Sequence, residues 1–295
     1  MDASGRENST LVETSVVEND CPPHWQELRP WTLKYVDDVN AGERHYLKHA
    51  TSVYSQNKEE KKIRAKECER LYHTISMKAS RFGMKVNQAK TQLMCVSAAI
   101  NSKVSSYVRG HDGANIDSTD NMTLLGFKFS SKPTVDAHIS LIVHKFNIRV
   151  WLIRHLLQAG VKQSKAALIY TTVVRPVIEY AVPVYHPMLS ECQAKELEKL
   201  QRRMMKIIFG YKISYKKAME MANLPTLAHR RQEITKKFAT KLAASGNFDR
   251  WLPTHHPYQY ELRNVLRYEE ETAHTNWLYR SPIYTYRRML NSACR

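Results

Sequence analysis

The sequence predicts an α+β fold, with strands gathered in the first part of the chain and helices filling the rest. Three observations carry this. Between residues 25 and 132, short apolar or aromatic runs alternate with Gly, Asn and Asp turns around one amphipathic helical stretch. From Pro133 onward the apolar positions recur at spacings of three and four and keep that period. An apolar content of 43% over 295 residues is enough to build the cores of two domains. The composition shifts divide the chain into a leader (1–24), a strand-rich segment (25–132), a helical segment (133–250) and a tail (251–295).

The leader is polar and closes on Cys21-Pro22-Pro23, which reads as disordered. Trp31-Thr32-Leu33-Lys34-Tyr35 then reads as a strand running into a tight turn at Val36-Asp37-Asp38. Two adjacent carboxylates on a turn repel one another unless a cation lies between them. Asp37 and Asp38 therefore suit a hard divalent ion such as Mg²⁺, which prefers carboxylate and water ligands; a solvated Asp-Asp turn is the alternative. The return stretch, Val39-Asn40-Ala41-Gly42-Glu43-Arg44, reads as a poor strand.

A helix is expected from about Lys58 to Phe82, with Cys68, Leu71, Tyr72, Ile75, Ala79 and Phe82 on one stripe and Gly83 ending it. Its charged opening is a solvated face with pairs such as Glu60–Arg64. Short strands are expected at Gln92–Val96, Ser106–Arg109 and Met122–Phe129, with turn chemistry from Gly110 to Asn115. His111 and Asp112 belong to that turn and are not read as metal ligands.

In the helical segment, Asp136 is placed to cap a helix carrying Ile139, Ile142, Val143, Phe146, Val150, Ile153 and Leu157, closed by Gly160. Ser164 opens the next helix, with Leu168, Tyr170, Val173 and Val174 on its apolar face. Pro176 is expected to kink or end it. Arg175 and Glu179, four apart, form an internal ion pair. Ser190-Glu191-Cys192-Gln193 is a capping box. Its helix buries Ala194, Leu197, Leu200, Met204, Ile207 and Ile208 and stops at Gly210. The other side presents Lys195, Lys199, Arg202, Arg203 and Lys206, a row suited to a phosphate backbone, with a merely solubilising face as the alternative. A further helix runs from Leu224 to near Gly246. In the tail, the aromatic and arginine residues of Tyr260–Arg263 and Arg280–Tyr284 are expected to pack on the helical segment rather than stack on bases.

Tyr35-Val36-Asp37-Asp38, then Phe82-Gly83-Met84-Lys85-Val86-Asn87-Gln88-Ala89-Lys90-Thr91, then Leu124-Leu125-Gly126-Phe127 resemble, in order and spacing, the second half of a reverse transcriptase palm. The likeness is greatest to non-LTR retrotransposon polymerases. It continues through Arg175-Pro176-Val177-Ile178-Glu179-Tyr180-Ala181 into the thumb, almost to the C-terminus. The resemblance implies a truncated palm of antiparallel strands with one helix, followed by a mostly α-helical thumb and tail, acting as an RNA-directed DNA polymerase on an RNA/DNA template-primer. Asp37, supported by Asp38, would hold magnesium, with Tyr35 and Val36 lining the site. Lys90 would stand near the leaving pyrophosphate and Asn87 would be a turn residue before it. Leu125 and Gly126 would lie by the primer end. Such polymerases join nucleotides with two metal ions held by acids from two strands. Only 34 residues precede Tyr35, with Asp2 and Asp20 their sole aspartates, so the chain is expected to be unable to polymerise alone. A non-catalytic nucleic-acid-binding module, or a decayed remnant, is the alternative.

Composition narrows the classes further. A formal charge of +17 and a pI of about 9.6 favour a polyanionic partner. The first 50 residues hold five Lys/Arg against nine Asp/Glu, so the basic excess lies in the body of the chain. Five scattered cysteines without a C-x-x-C pair argue against a zinc site or a disulfide framework. Reduced thiols and the lack of a basic-then-apolar start point to an intracellular setting, cytoplasmic or nuclear, and not to secretion. The most apolar stretch, Ala166 to Tyr185, is broken by Arg175, Pro176, Glu179 and Pro183, so no membrane span is expected.

Overall fold

The computed structural model describes residues 31–35, 38–42, 58–96, 107–110, 112–246, 249, 252–254, 267–269, 273 and 275–292, with backbone alone for 31–35, 38–42 and 58–67. It is an α+β protein that divides into two compact units, Met1–Asp120 and Asn121–Arg295. The expected disordered leader, Val36, Asp37, Ser106, His111 and Tyr260–Arg263 lie outside the described residues.

In the first unit, β1 (Trp31–Tyr35) pairs antiparallel with β2 (Asp38–Gly42), Tyr35 facing Asp38 and Trp31 facing Gly42. The return stretch expected to be a poor strand is therefore paired along its length up to Gly42. Backbone hydrogen bonding to an adjoining strand outweighs the weak propensity of Asn40, Ala41 and Gly42. Helix α1 (Lys58–Arg81) ends one residue before the expected boundary. It packs through Tyr72 against β3 (Tyr107–Arg109) and β4 (Asn115–Asp117), whose facing residues Val108 and Ile116 complete a small core with Cys68, Val86 and Leu93 at its edge. Among the described residues the stretch Gln92–Val96, expected as a strand, makes only a single bridge, Leu93 to Ser118, and leaves Val96 61% exposed. With no partner running beside it among the described residues, its apolar residues make no ladder there.

The second unit opens with a hairpin, β5 (Asn121–Leu124) and β6 (Phe127–Ser130), pairing Leu124 with Phe127 and Asn121 with Ser130. The single strand expected over Met122–Phe129 is thus folded in half at Leu125-Gly126. Both turn residues have positive φ, 47° and 79°, the signature of the two-residue type I′ turn that matches strand twist.

Helix α2 (Asp136–Gln158) buries Ile139, Ile142, Phe146, Val150 and Ile153, as its period predicts. Its cap residue is Val135, not Asp136. Asp136 is the first helical residue, where its charge complements the helix dipole and its Oδ1 accepts from Gln193 Nε2 at 2.5 Å. His138, buried beside it, stacks on Phe127 with ring centroids 4.1 Å apart, and its Nδ1 accepts from the Lys128 amide.

Helix α3 (Gln163–Ile169) passes through a π turn (Tyr170–Val174) into α4 (Arg175–Glu179), so Pro176 neither ends the helix nor stops its continuation to Glu179. The wider turn shifts the phase of the stripe. Tyr170, Val174 and Ile178 are wholly buried, while Leu168 and Val173, expected on the apolar face, stand in solvent. Together with Ala166, Val182 and Tyr185 these residues make the stretch that looked most apolar in sequence the centre of the core. Among the described residues no single helix is long and apolar enough to cross a membrane.

After α5 (Val182–Tyr185) come α6 (Glu191–Phe209), α7 (Tyr215–Ala222) and α8 (Leu227–Ala244). The expected Arg175–Glu179 pair forms at 2.9 Å, and Glu179 also takes Arg230 from α8 at 3.0 Å. In the tail, α9 (Asn276–Tyr279) precedes α10 (Pro282–Ser292). Tyr286 and Leu290 of α10 pack on Ala239 of α8 with Leu252 and Tyr268, and the Tyr286 hydroxyl donates to the Pro183 carbonyl at 2.8 Å. Tyr284, half-buried, belongs to this packed tail as expected, whereas Arg280 is exposed.

Candidate nucleic-acid interface

Helix α6 begins with the capping box its sequence announces. Ser190 Oγ accepts from the Gln193 amide at 3.2 Å and Gln193 Oε1 accepts from the Ser190 amide at 2.9 Å. One face carries Leu197, Leu200, Gln201, Met204, Met205, Ile208 and Phe209 into the core. Ala194 and Ile207, expected in that face, are only half-buried. Gln201 is the polar member of the stripe and is wholly buried. Its Oε1 accepts from the Tyr170 hydroxyl at 2.8 Å, and its Nε2 donates to the Tyr215 hydroxyl and the Pro225 carbonyl, each at 3.1 Å. The Tyr215 hydroxyl in turn donates to Glu198 at 2.6 Å, and Glu198 accepts from the Ala228 amide at 3.3 Å. Burial first, and then the bond to Glu198, raise the Tyr215 phenol above its ordinary range, so it stays protonated as a donor. The network fixes the rotation of α6 against α3, α7 and α8 and turns Glu198 inward.

The opposite face is set by that rotation. Lys199, Arg202, Arg203 and Lys206 are exposed and line one cavity of about 230 Å³, together with Tyr211. The Arg202 guanidinium lies 5.0 Å from the centre of the Tyr215 ring, and Arg203 Nη1 donates to Asn147 Oδ1 of α2 at 3.0 Å. Two of the four cations are thereby held in place. Lys195, the fifth cation of the expected row, does not line the cavity and pairs with Glu191 at 3.6 Å, both side chains well exposed. Tyr211 follows Gly210, whose φ of 96° ends the helix and turns the chain so that the phenol ring stands 75% exposed at the cavity edge.

Leu125 and Gly126 form the β5–β6 turn, where the Tyr180 hydroxyl donates to the Leu125 carbonyl. A Cβ at Gly126 would lie 3.4 Å from the Tyr180 ring. Lys90 ends a 3₁₀ turn (Gln88–Lys90) and is exposed, and Asn87 Oδ1 accepts from the Lys90 amide at 3.2 Å, which makes Asn87 the turn residue expected. Asp38 starts β2 opposite Tyr35, while Asp37 lies outside the described residues. Among the described residues no group of three or more His, Cys, Asp or Glu side chains converges as a metal site would.

Sequence reasoning missed three members of the α6 site. Gln201 has a signal, since Leu197, Gln201, Met204 and Ile208 keep the helical spacing of a buried stripe. Tyr211 has a weaker one, an aromatic next to a helix-ending glycine and a lysine. Asn147 has none, because its role depends on where α2 lies against α6. No family model, curated protein or solved structure matches the chain.

Proposed function

We propose that the helical unit grips a nucleic-acid backbone along α6, as the thumb of a chain derived from the reverse transcriptase of a non-LTR retrotransposon. One observation carries the proposal: Lys199, Arg202, Arg203 and Lys206 line a single cavity, with half-buried Glu198 of the same helix bound to Tyr215 instead. Four cations on one strip of a helix suit a row of phosphates. The ligand of this reading is an RNA/DNA template-primer. The motif resemblance supports the polymerase lineage, with Asp37 and Asp38 as magnesium ligands, Lys90 near the pyrophosphate and Leu125-Gly126 by the primer end. Magnesium there would supply charge stabilisation to a phosphoryl transfer. The binding reading stands on the α6 face and needs no step at that metal.

The test is fluorescence anisotropy of a labelled RNA–DNA primer-template over a salt series, with and without Mg²⁺. Binding should weaken steeply with salt, by about 0.9 in log–log slope for each neutralised phosphate of the duplex part or about 0.7 for each of the single-stranded overhang. Arg202→Ala, Arg203→Ala and Lys206→Ala combined should lower that slope by about 2–3, with no dependence on Mg²⁺. Unchanged binding by the triple variant overturns the proposal. Primer extension by the purified chain, abolished by Asp37→Ala, would replace it with a catalytic one.

A further inference from the structure

We propose that the α6 cavity holds a single-stranded segment, with one base stacked on Tyr211 and the flanking phosphates on Lys199, Arg202, Arg203 and Lys206. This rests on the nucleic-acid reading and names the form of the ligand.

Two tyrosines, Tyr211 and Tyr215, follow α6. Tyr215 is committed within the fold: its hydroxyl bonds to Gln201 and Glu198, and Arg202 lies over its ring. Tyr211 is 75% exposed, and none of the ring pairs among the described residues includes it. An aromatic face left in water, on the rim of a cavity whose other lining residues are all cations, offers a ligand two kinds of contact at once.

The two contacts discriminate between nucleic-acid forms. A duplex presents phosphates outward and keeps its bases stacked within, so Tyr211 would contribute little to holding it. A single strand exposes the face of every base, and stacking on an aromatic side chain is the sequence-tolerant device by which such strands are held beside a cationic track. Size points the same way. At about 230 Å³ the cavity falls below the roughly 300–1,000 Å³ usual for sites that enclose a small molecule. A free nucleotide would be left largely in solvent, whereas a strand passing across needs only one base to settle there.

The experiment measures anisotropy of three labelled probes of equal length: oligo-dT, a base-free deoxyribose-phosphate strand, and a blunt DNA duplex. The wild-type chain should bind oligo-dT more tightly than the base-free strand. Tyr211→Ala should weaken oligo-dT binding by about 5- to 150-fold, the ratio corresponding to the loss of one stacked base, while leaving the base-free strand unchanged. Tyr211→Phe should restore it. Trp151→Ala serves as the control, since Trp151 is comparably exposed at 64% but does not line the cavity. If oligo-dT and the base-free strand bind equally and Tyr211→Ala is silent, stacking is wrong while the cationic grip stands. If the duplex binds best and ignores Tyr211→Ala, the single-strand assignment is overturned. If no probe binds, the nucleic-acid reading itself fails. Circular dichroism of each variant separates loss of contact from loss of fold.

Discussion

The Tyr170 hydroxyl donates to Gln201 Oε1 at 2.8 Å, and neither side chain reaches solvent. This bond joins the π turn to the helix that carries the cationic face. Tyr170→Phe removes the donor and leaves a buried carbonyl unsatisfied, at a cost of about 1–3 kcal/mol. Urea denaturation should show that loss as a lower midpoint with an unchanged slope. Nucleic-acid affinity below the transition should be retained, because the outer face of α6 is untouched.

The β5–β6 turn predicts two changes of opposite sign. Leu125 sits at φ 47° with its side chain 45% exposed, so Leu125→Gly relieves left-handed strain and should stabilise by up to about 1 kcal/mol. Gly126→Ala places a Cβ at φ 79° and 3.4 Å from the Tyr180 ring, and should destabilise by about 1 kcal/mol or more. Thermal melts of the two variants check this, and shifts in the same direction would contradict the turn assignment.

His138 gives the protein an acid-side weakness. Burial, aided by the nearby Lys145 charge, lowers its pKa to about 4, so the ring is neutral in the fold. An unfolded histidine titrates near 6.5. Between these values the unfolded chain binds the extra proton, so stability is fully present above about pH 6.5 and falls as pH drops toward 4. The loss attributable to this group is on the order of 3 kcal/mol. His186 is also lowered to about 4, by burial and then by Arg231, and adds to the same window. Stability measured against pH should therefore fall less steeply between pH 6.5 and 4 in His138→Gln than in the wild type.

Glu179 lies between Arg175 and Arg230 at 2.9 and 3.0 Å, joining α4 to α8. Glu179→Gln keeps the shape but leaves two guanidinium groups close together without their shared anion. The glutamate and Arg175 side chains are each 16% exposed and Arg230 is 30% exposed, so solvent relieves part of the strain. A loss of about 1–3 kcal/mol is expected. Added salt should narrow the gap between variant and wild type in chemical denaturation, since it screens the residual repulsion.

Periodicity made much of this fold legible. The buried stripe of α2, the capping box of α6 and the Arg175–Glu179 pair follow from spacing alone, because each depends on residues within a turn or two of one another. Where the period itself changes, the reading goes astray: the π turn at Tyr170–Val174 leaves Val173 in solvent, while Leu168, before that turn, lies on the helix face opposite Ala166 and Tyr170. The strand assignments over Gln92–Val96 and Met122–Phe129 fail for a different reason. A strand needs a partner, and only the fold decides whether one lies alongside or whether the chain doubles back at Leu125-Gly126. At the candidate site, the cation row was visible in sequence. Its narrowing to four members, the gain of Tyr211 and the exclusion of Lys195 depend on how Gln201 and Tyr215 set the rotation of α6.

Arg231 is only 2% exposed, and its Nε and Nη1 have no hydrogen-bond partner among the described residues. Arg287 is nearly as enclosed, at 6%, and Arg175 and Arg230 share one carboxylate. A share of the positive charge tallied from the residues is therefore sealed off from any polymer sliding over the surface. Two chains of identical isoelectric point would shed different numbers of counterions on meeting the same strand, because only groups able to touch phosphate release them. On the proposed reading, counterion release by this chain should therefore track its exposed cations, and a tally of every Lys and Arg would overstate it.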